Sequence, residues 1–576
     1  MSELTIIERE VSCIPKGLST LDPVLAKIYA GRGVSELSEL AKGLDSLLPD
    51  AQMRGIDQAV ERLTTALLNQ QSILIIGDFD CDGATSTATA VLALRAFGFN
   101  DVDYLVPNRF EYGYGLSPEI VTVAAERQPD LIITVDNGIS SIEGVAAANQ
   151  RGIDVIVTDH HLPGAQLPDA IAIVNPNQPG CEFIAKSTCG VGVLFYLLIA
   201  LRRALQGQHW FKKQGINTPN LGDYLDLVAL GTVADVVPLE HNNRTLVHQG
   251  LARIRQGRAR PGLLAILEVA GRDSSRINSA DLGFAVAPRL NAAGRLDDIS
   301  LGIECLLTED PQRARELAGQ LDSLNRERRS IESDMQAQAL HYLDNLDLDD
   351  SQLPSGLVLF NDAWHQGVIG ILASRIKERL HRPVIVFAPG DDQQVKGSAR
   401  SIDGFHVRDG LDRIATEHPG LITKFGGHAM AAGLTIDLKD LEAFEQAFDH
   451  EVKRQTKPSD LERVVETDGC LEPHQFTMDV AQMIRDAGPW GHQFPEPCFH
   501  GDFRVLQQRI VGQKHLKLVL QEPISGLALD AIAFNVDTDT WPNGDIQKVS
   551  AVYRLDINEF RGQRSVQMIV EWLTPR

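Results

Sequence analysis

Cysteine is scarce in this chain, and none of it is spaced as a metal knuckle. The seven cysteines, at positions 13, 81, 181, 189, 305, 470 and 498, form no CxxC pair. Their odd number argues against a disulfide framework, and the missing pairs argue against a structural zinc site. A reducing compartment suits such a chain. Long apolar runs are also missing. No stretch reaches the ~20 uninterrupted apolar residues that span a bilayer, and the opening MSELTIIEREVSC has no basic segment leading into an apolar one. The expectation is a cytoplasmic protein with no membrane partner. Positive charge is the third shortage: 54 Lys and Arg stand against 77 Asp and Glu, a formal net charge of −23. That balance argues against a protein that coats nucleic acid through a basic surface. An enzyme needs only a local basic path, and residues 244–260 carry Arg244, Arg253, Arg255, Arg258 and Arg260 with no acid. Taken alone, this run reads as a solvated helical face.

With 576 residues and 43% hydrophobic content, the chain has enough apolar mass for about three or four domains with proper cores. Between 72 and 175 the runs SILIIG, VDYLV, DLIITV, DVIVT and IAIV alternate with helical stretches such as ATSTATAVLALRAF. This pattern predicts a parallel sheet covered by helices on both faces, with ligands at the carboxyl ends of its strands. A Leu- and Ala-rich helical region follows over 190–270, then PRLNAAGR (288–295), read as a glycine-containing loop. Ala314, Leu317, Leu321, Leu324, Ile331 and Met335 then mark one long helix of roughly 54 Å at 1.5 Å per residue. Its length suggests a strut, and Arg328 in LNRERR interrupts its stripe. A second α/β unit begins at GLVLF, with glycine-rich turns KGSARS (396–401) and FGGHAMAAG (425–433). After a polar linker, five segments of alternating polarity suit a small β-barrel, foremost an OB-fold, a type that often binds single strands. The predicted division is an N-terminal segment 1–50, a parallel-sheet domain 51–308, a connecting helix 309–348, a second α/β domain 349–455 and an OB-like barrel 463–576.

The sharpest chemical signal is IIGDFDCDGATS, where Asp78, Asp80 and Asp82 follow a buried strand before Gly83 opens a helix. Three carboxylates in so short a loop repel one another unless cations neutralise them. The spacing mimics the start of an EF-hand, but an EF-hand loop follows a helix and closes with a Glu at its twelfth position; here a strand precedes it and Thr89 stands there. Asp136 follows strand DLIITV, Asp159-His160-His161 follow DVIVT, and Asp235 follows an apolar helix, where an unpaired charge is costly to bury. Asp78, Asp80, Asp82, Asp136, His160, His161 and Asp235 are too many for one octahedral ion and suit two. Carboxylate and imidazole without thiolate favour Mn2+ or Mg2+ over zinc or copper. Two such ions roughly 3.5–4 Å apart serve metal-assisted phosphoester hydrolysis.

The set DxDxDG, VDNG, TDHH and GTVADVVPL resembles the four motifs of the DHH phosphoesterase superfamily, and FGGHAMAAG resembles the motif of its associated C-terminal domain. PRLNAAGR, LNRERR, NDAWHQGVIGI, KGSARS and GPWGHQFPEPCF are similar to the superfamily's branch of single-strand-specific exonucleases, from about residue 50 to the C-terminus. The resemblance implies that Asp80, Asp82, Asp136, His160 and Asp235 bind two ions, with Asp136 bridging. Asp78 is then a ligand or a neighbour of the ligands, and His161 contacts the scissile phosphate. It further implies a 5′-phosphate pocket of Ser398, Arg400 and Arg109, backbone-phosphate contacts from Arg289, Asn291 and Arg295, and close approach of the nucleotide to His428. One departure is Ala399, where the branch often carries a second glycine, and it bears on the backbone of that segment.

The implied protein is a monomer whose two α/β domains face each other across a cleft, with the barrel closing one side and a passage for one DNA strand. It would release 5′-mononucleotides in the 5′ to 3′ direction, in recombination and repair, alongside single-strand-binding protein and a helicase. Three rivals compete with this reading. A phosphodiesterase for very short or cyclic oligonucleotides would be shorter and lack the barrel. A manganese pyrophosphatase would carry a His before its first aspartates, where Ile75-Ile76-Gly77 stand. A non-catalytic DNA-binding scaffold would have lost ligands that this chain keeps.

Overall fold

Five apolar runs form one sheet: β1 (Ile73–Ile76), β2 (Val102–Leu105), β3 (Leu131–Val135), β4 (Asp154–Thr158) and β5 (Ala172–Val174). The computed structural model describes residues 4–107, 115–344, 353–391, 393–538, 540–560 and 562–576. The chain divides into two compact units, residues 8–322 with 467–576 and residues 1–7 with 323–466. The sheet belongs to the first. Its strands are all parallel in the order β2-β1-β3-β4-β5. Every residue of β1 and β3 is buried, because Leu63, Ala90, Phe97 and Leu194 cover one face and Ile120, Val145 and Ala148 the other. Coverage on both sides explains why these strands read as continuous apolar runs. The strand order reverses between β1 and β3, so the loops leaving their carboxyl ends diverge and open a crevice.

The helices that matter for the site are α1 (Pro23–Ala30), α2 (Cys81–Phe97), α3 (Gly190–Gly207), α4 (Leu225–Ala234), α5 (His241–Arg255), α6 (Ala287–Leu296) and α7 (Pro311–Asp344). By length and composition α3 could cross a membrane, yet 67% of it is buried inside this unit, where it packs as a core helix.

Four sequence readings of the fold are corrected by the structure, three of them in this unit and the long helix. The arginine run is a solvated face only in part: Arg255 and Arg258 are exposed, but other members are tied into the fold. Arg244 donates to the carbonyls of Leu239 and Glu39, both at 2.8 Å, and lies 4.1 Å over the Phe494 ring. Arg255 donates to Ile277 O at 2.8 Å, and Arg260 pairs with Asp226 at 2.5 Å. PRLNAAGR is helical rather than a loop. Gly294 supplies no turn; a Cβ there would stand 1.9 Å from the Phe79 carbonyl, so glycine lets α6 press against the loop after β1. The long helix α7 is not a bare strut, since Ala314, Leu317, Ala318, Leu321, Met335 and Ala339 are buried. Arg328 sits in that stripe because its charge is met locally: it bonds Glu332 and Asn325 at 2.7 Å each, and Glu332 also accepts from Arg375 at 2.9 Å. A buried ion so enclosed avoids the cost of an orphaned charge.

The second unit carries β6 (Leu357–Phe360), β7 (Val384–Pro389), β8 (Gln394–Arg400), β9 (Lys424–Gly427) and β10 (Ala431–Asp437), in the order β9-β10-β8-β7-β6. KGSARS is therefore strand, not turn. Its alternation buries Val395, Gly397 and Ala399 while Lys396, Ser398 and Arg400 share the other face, and Ala399 fills a core position that needs no second glycine. FGGHAMAAG is the hairpin joining β9 to β10. Helix α8 (Ile369–Leu380) packs on β7 and β8.

Back in the first unit, helix α9 (Met478–Ala487) leads to β11 (Phe499–Val511), β12 (His515–Gln521), β13 (Ala528–Ala533), β14 (Lys548–Phe560) and β15 (Gln563–Pro575). They close a barrel in the order β11-β12-β13-β15-β14 around Leu516, Leu518, Leu520, Ala531, Tyr553 and Met568, as the alternating segments predict. The segment GPWGHQFPEPCF docks this barrel on α1. Trp490 and Phe494 stack at 5.2 Å, Tyr29 packs about both, and its hydroxyl donates to Ala487 O at 2.9 Å. Arg32 lies 5.2 Å over Trp490 and makes a bidentate pair with Asp468 at 2.7 and 3.0 Å.

Candidate metal centre

Four chain segments deliver acids and imidazoles to the carboxyl end of the parallel sheet. After β1, Asp78 is buried and accepts from Phe79 N at 2.8 Å. Asp80 caps α2, accepting from Gly83 N at 3.0 Å. Asp82 points instead at the first turn of α3, accepting from Gly190 N at 2.7 Å and Val191 N at 3.0 Å. Amides at a helix start carry partial positive charge and suit a carboxylate. Asn291 of α6 holds this loop from the other side, its Oδ1 accepting from Cys81 N at 2.7 Å.

After β3, Asp136 is buried and adopts φ 62°, a left-handed conformation costly for a residue with a Cβ. Close packing holds it there: a Cβ on Gly190 would come within 2.5 Å of Asp136 Oδ1. After β4, Asp159 is buried and accepts from His160 N, His161 N, His161 Nδ1 and Ile139 N at 2.7, 3.1, 2.7 and 2.9 Å. That set turns both imidazoles into the crevice, where the rings lie 4.4 Å apart. His160 Nε2 reaches 3.1 Å from Asp136 Oδ1 and 3.4 Å from Asp235 Oδ2. Asp235 ends α4, and the next residue, Val236, holds φ 57°, an outlier for a β-branched side chain.

The electrostatics show what the pocket lacks. Burial, and then Asp80, raise the carboxyls of Asp78 and Asp82, the latter to about 7. Burial followed by Asp82 raises Asp136 and Asp235. Burial alone would lower His161, but the hydrogen bond and charge of Asp159 outweigh it and bring the imidazole to about 9. Asp159 is held low against burial by His161, His160 and the Ile139 amide. Among the described residues no lysine or arginine pairs with Asp78, Asp80, Asp82 or Asp235. Donor atoms of Asp136, His160 and His161 lie within 4.8 Å of one another, as do those of Asp82, His160 and Asp235, and those of Asp78, Asp80 and Asp136. The nearby Cys81 and Cys189 thiols are pushed well up by burial and these carboxylates, so they stay protonated. Four raised carboxyls crowded beside imidazoles, with His161 the charged group set against them, form a set of oxygen and imidazole donors that fits hard divalent ions.

Of the residues singled out in the sequence, all seven acids and imidazoles converge here, and Asn291 joins them through the loop it holds. Arg295 lies in the last turn of α6. Arg289, expected at a backbone phosphate, is instead buried, with its guanidinium bonded to Asp322 at 2.8 Å and to Ala285 O at 2.5 Å. An internal acid has claimed it. Ser398 and Arg400 lie side by side on β8 of the second unit, with Arg400 Nη1 donating to Ser398 Oγ at 3.1 Å and to Ala399 O at 2.8 Å. Burial lowers that guanidinium, and no carboxylate lies within 4 Å of it among the described residues. A Cβ on Gly370, in the first turn of α8, would stand 3.0 Å from both side chains. His428 sits in the β9–β10 hairpin, its N–H donating to Ala431 O at 2.8 Å. Arg109 lies outside the described residues. Sequence reasoning missed the orienting role of Asp159, whose signal was a third polar group at the end of a buried strand. It also missed Gly190, which nothing in the sequence marked, and Gly370, whose packing role is hidden within NDAWHQGVIGI.

Comparisons with known proteins agree with this architecture. Residues 72–232 match the family model described as DHH family, N-terminal domain, residues 354–454 the DHHA1 domain, and residues 467–572 the RecJ OB domain. The chain is 53% identical over 573 residues to the single-stranded-DNA-specific exonuclease RecJ of Escherichia coli K12, covering 100% of this chain and 99% of that one. Crystal structures of Thermus thermophilus RecJ are similar over 100% of this chain. The complex with Mn2+ gives a TM-score of 0.80 at 30% identity over 79% of that chain, and the complex with Mg2+ gives 0.75 at 28% over 78%.

Proposed function

The chain belongs to the RecJ family, and from that premise we propose that it is a metal-dependent exonuclease hydrolysing single-stranded DNA from the 5′ end to 5′-mononucleotides, in recombination and repair. The observation that carries this reading is the convergence of seven carboxylates and imidazoles on one crevice. Asp80, Asp82, Asp136, His160 and Asp235 would hold two ions, Mn2+ or Mg2+, with Asp136 shared between them and Asp78 beside them. Its support is that Asp136 belongs to two of the three donor sets. Such ions supply Lewis acidity, activating water at neutral pH and offsetting charge on the phosphoryl oxygens.

The protein's own groups do the positioning. Asp159 accepts a hydrogen bond from the Nδ1–H of His161 and fixes the ring, so that His161 would meet the scissile phosphate in one orientation. Asn291 and Arg295 would steady the strand's backbone. Ser398 and Arg400 would hold the 5′-phosphate together with Arg109 and so set the direction of digestion. A buried guanidinium without a carboxylate, beside a hydroxyl and the first turn of α8, supports that assignment. His428 would approach the nucleotide. The proposed domains (51–308, 349–455 and 463–576, with the connecting helix 309–348) each contain one matched family model. Action as a monomer in a reducing cytoplasm, with single-strand-binding protein and a helicase as partners, completes the reading; seven free cysteines support the compartment.

The test is release of mononucleotides from a 5′-labelled single strand with Mn2+, with and without chelator. Wild-type protein should release label only with the ion. Asp136→Ala should abolish release while retaining strand binding. Release in chelator, or normal turnover by Asp136→Ala, would remove the cluster from the reaction; binding without any release would make the protein a scaffold.

A further inference from the structure

A second concentration of like charge lies away from the carboxylates, where the barrel meets the helical part of the same unit. A cavity of about 450 Å³ opens between the end of α5, the turn at 275–276, helix α9 and the strands β14 and β15. Four guanidiniums line it, Arg255, Arg276, Arg485 and Arg564, against two carboxylates, Asp486 and Glu559. Only Arg276 is neutralised, pairing with Glu559 at 2.6 Å and Asp273 at 3.4 Å. The other three are held by neutral acceptors: Arg255 by Ile277 O at 2.8 Å, Arg485 by Arg276 O at 3.3 Å and Arg564 by Gln482 Oε1 at 2.7 Å. None of these three has a carboxylate within 4 Å among the described residues.

Carbonyls and an amide fix guanidinium positions without cancelling their charge, so three forked donors stand ready before any ligand arrives. The protein feels the crowding. Burial and then Arg485 lower the Arg255 guanidinium. Lys42 is lowered chiefly by burial, with Arg255 adding to it, and His248 falls to about 4 through burial, Lys42 and Arg255. In a chain of net charge −23, such a surplus is placed against the average.

We propose that this cavity is a phosphate-binding site, separate from the metal centre, that takes the phosphate of one nucleotide. Forked donors match phosphate oxygens two at a time, the volume lies in the range of small-ligand pockets, and Ile557 offers an apolar contact for a base or sugar. The same chemistry can come from a free mononucleotide or from an internal link of a strand. The site stands whether or not the carboxylates hydrolyse DNA.

Calorimetric titration of the full chain in chelator, which leaves the carboxylates without ions, separates the sources. The probes are deoxyadenosine 5′-monophosphate and the dinucleotide TpT, which has an internal diester and no terminal phosphate. The site predicts that at least one of them binds, that Arg485→Gln/Arg564→Gln weakens it roughly tenfold or more, and that Arg400→Gln leaves the effect of that pair of changes intact. Tighter binding of the monophosphate assigns a free nucleotide, and tighter binding of TpT assigns a strand; each supports the site. Binding of neither, or equal binding by wild type and the double variant, overturns it. Arg485 and Arg564 make no internal ion pair, so their loss leaves no carboxylate stranded, and an unchanged melting curve for the double variant separates loss of the site from loss of the fold.

Discussion

Replacing Arg32 with Met should loosen the seat of the barrel while leaving every metal-centre residue in place. In the wild type its side chain is 1% exposed and that of Asp468 4%, and the guanidinium makes four hydrogen bonds: two to Asp468 and one each to Pro495 O at 2.8 Å and Ile28 O at 2.7 Å. Methionine keeps most of the volume and removes the charge. Asp468 then retains the Cys498 amide at 3.0 Å but loses its cation in a site without water access. Breaking one side of such a pair costs about 3–5 kcal/mol, and loss of the contact over Trp490 adds a fraction more. At about 2.1 cal/mol/K per residue, the ~425 residues of this unit carry ~0.9 kcal/mol/K, so a loss of ~4 kcal/mol lowers the midpoint by ~4–5 °C. Scanning calorimetry of the full chain measures this. Arg32→Met/Asp468→Leu, which removes both charges, should recover at least half the loss. A single variant melting within about 1 °C of wild type, or a double variant worse than the single, would refute the claim that this pair holds the barrel.

Asp159→Asn keeps an acceptor for His161 but sets an NH2 against the Ile139 amide; it should cost about 1–3 kcal/mol in urea unfolding and lower nucleotide release roughly 10–100-fold, and full activity would show that His161 needs no anchor. Gly190→Ala drives a methyl into Asp136 and should destabilise by about 1–3 kcal/mol with loss of Mn2+ binding read by calorimetry, whereas wild-type affinity would mean that Asp136 tolerates displacement. Arg400→Gln should cut the preference for 5′-phosphorylated over unphosphorylated ends roughly tenfold or more, and an equal loss on both ends would move the phosphate pocket elsewhere.

Much of this is legible in the residues alone because the informative ones obey short-range rules. Continuous apolar runs such as DLIITV have one use in an α/β chain, so the sheet and the convergence of Asp82, Asp136 and His160 at its carboxyl end follow directly. Alternation in HLKLVLQ foretells the barrel. The misreadings share a cause, which is that glycine and arginine report their neighbours rather than their own preferences. Gly294 and Gly397 look like turns, but one admits a helix against Phe79 O and the other lies in a strand packed on Phe387. Arg244 and Arg289 look available, and each is claimed by a carbonyl or an acid far away in sequence. Asp159 escapes notice because an orienting carboxylate is recognised only by its four donors, which are contacts in space.

The two amides beneath Asp82 are a counter-charge that cannot diffuse away. A receptacle lined only with acids would burst open whenever its cations left, as happens in small proteins folded around a single ion. Here the tip of a core helix shoulders part of that repulsion permanently, so starvation for manganese or magnesium should leave the molecule idle but intact, ready to resume when the ions return.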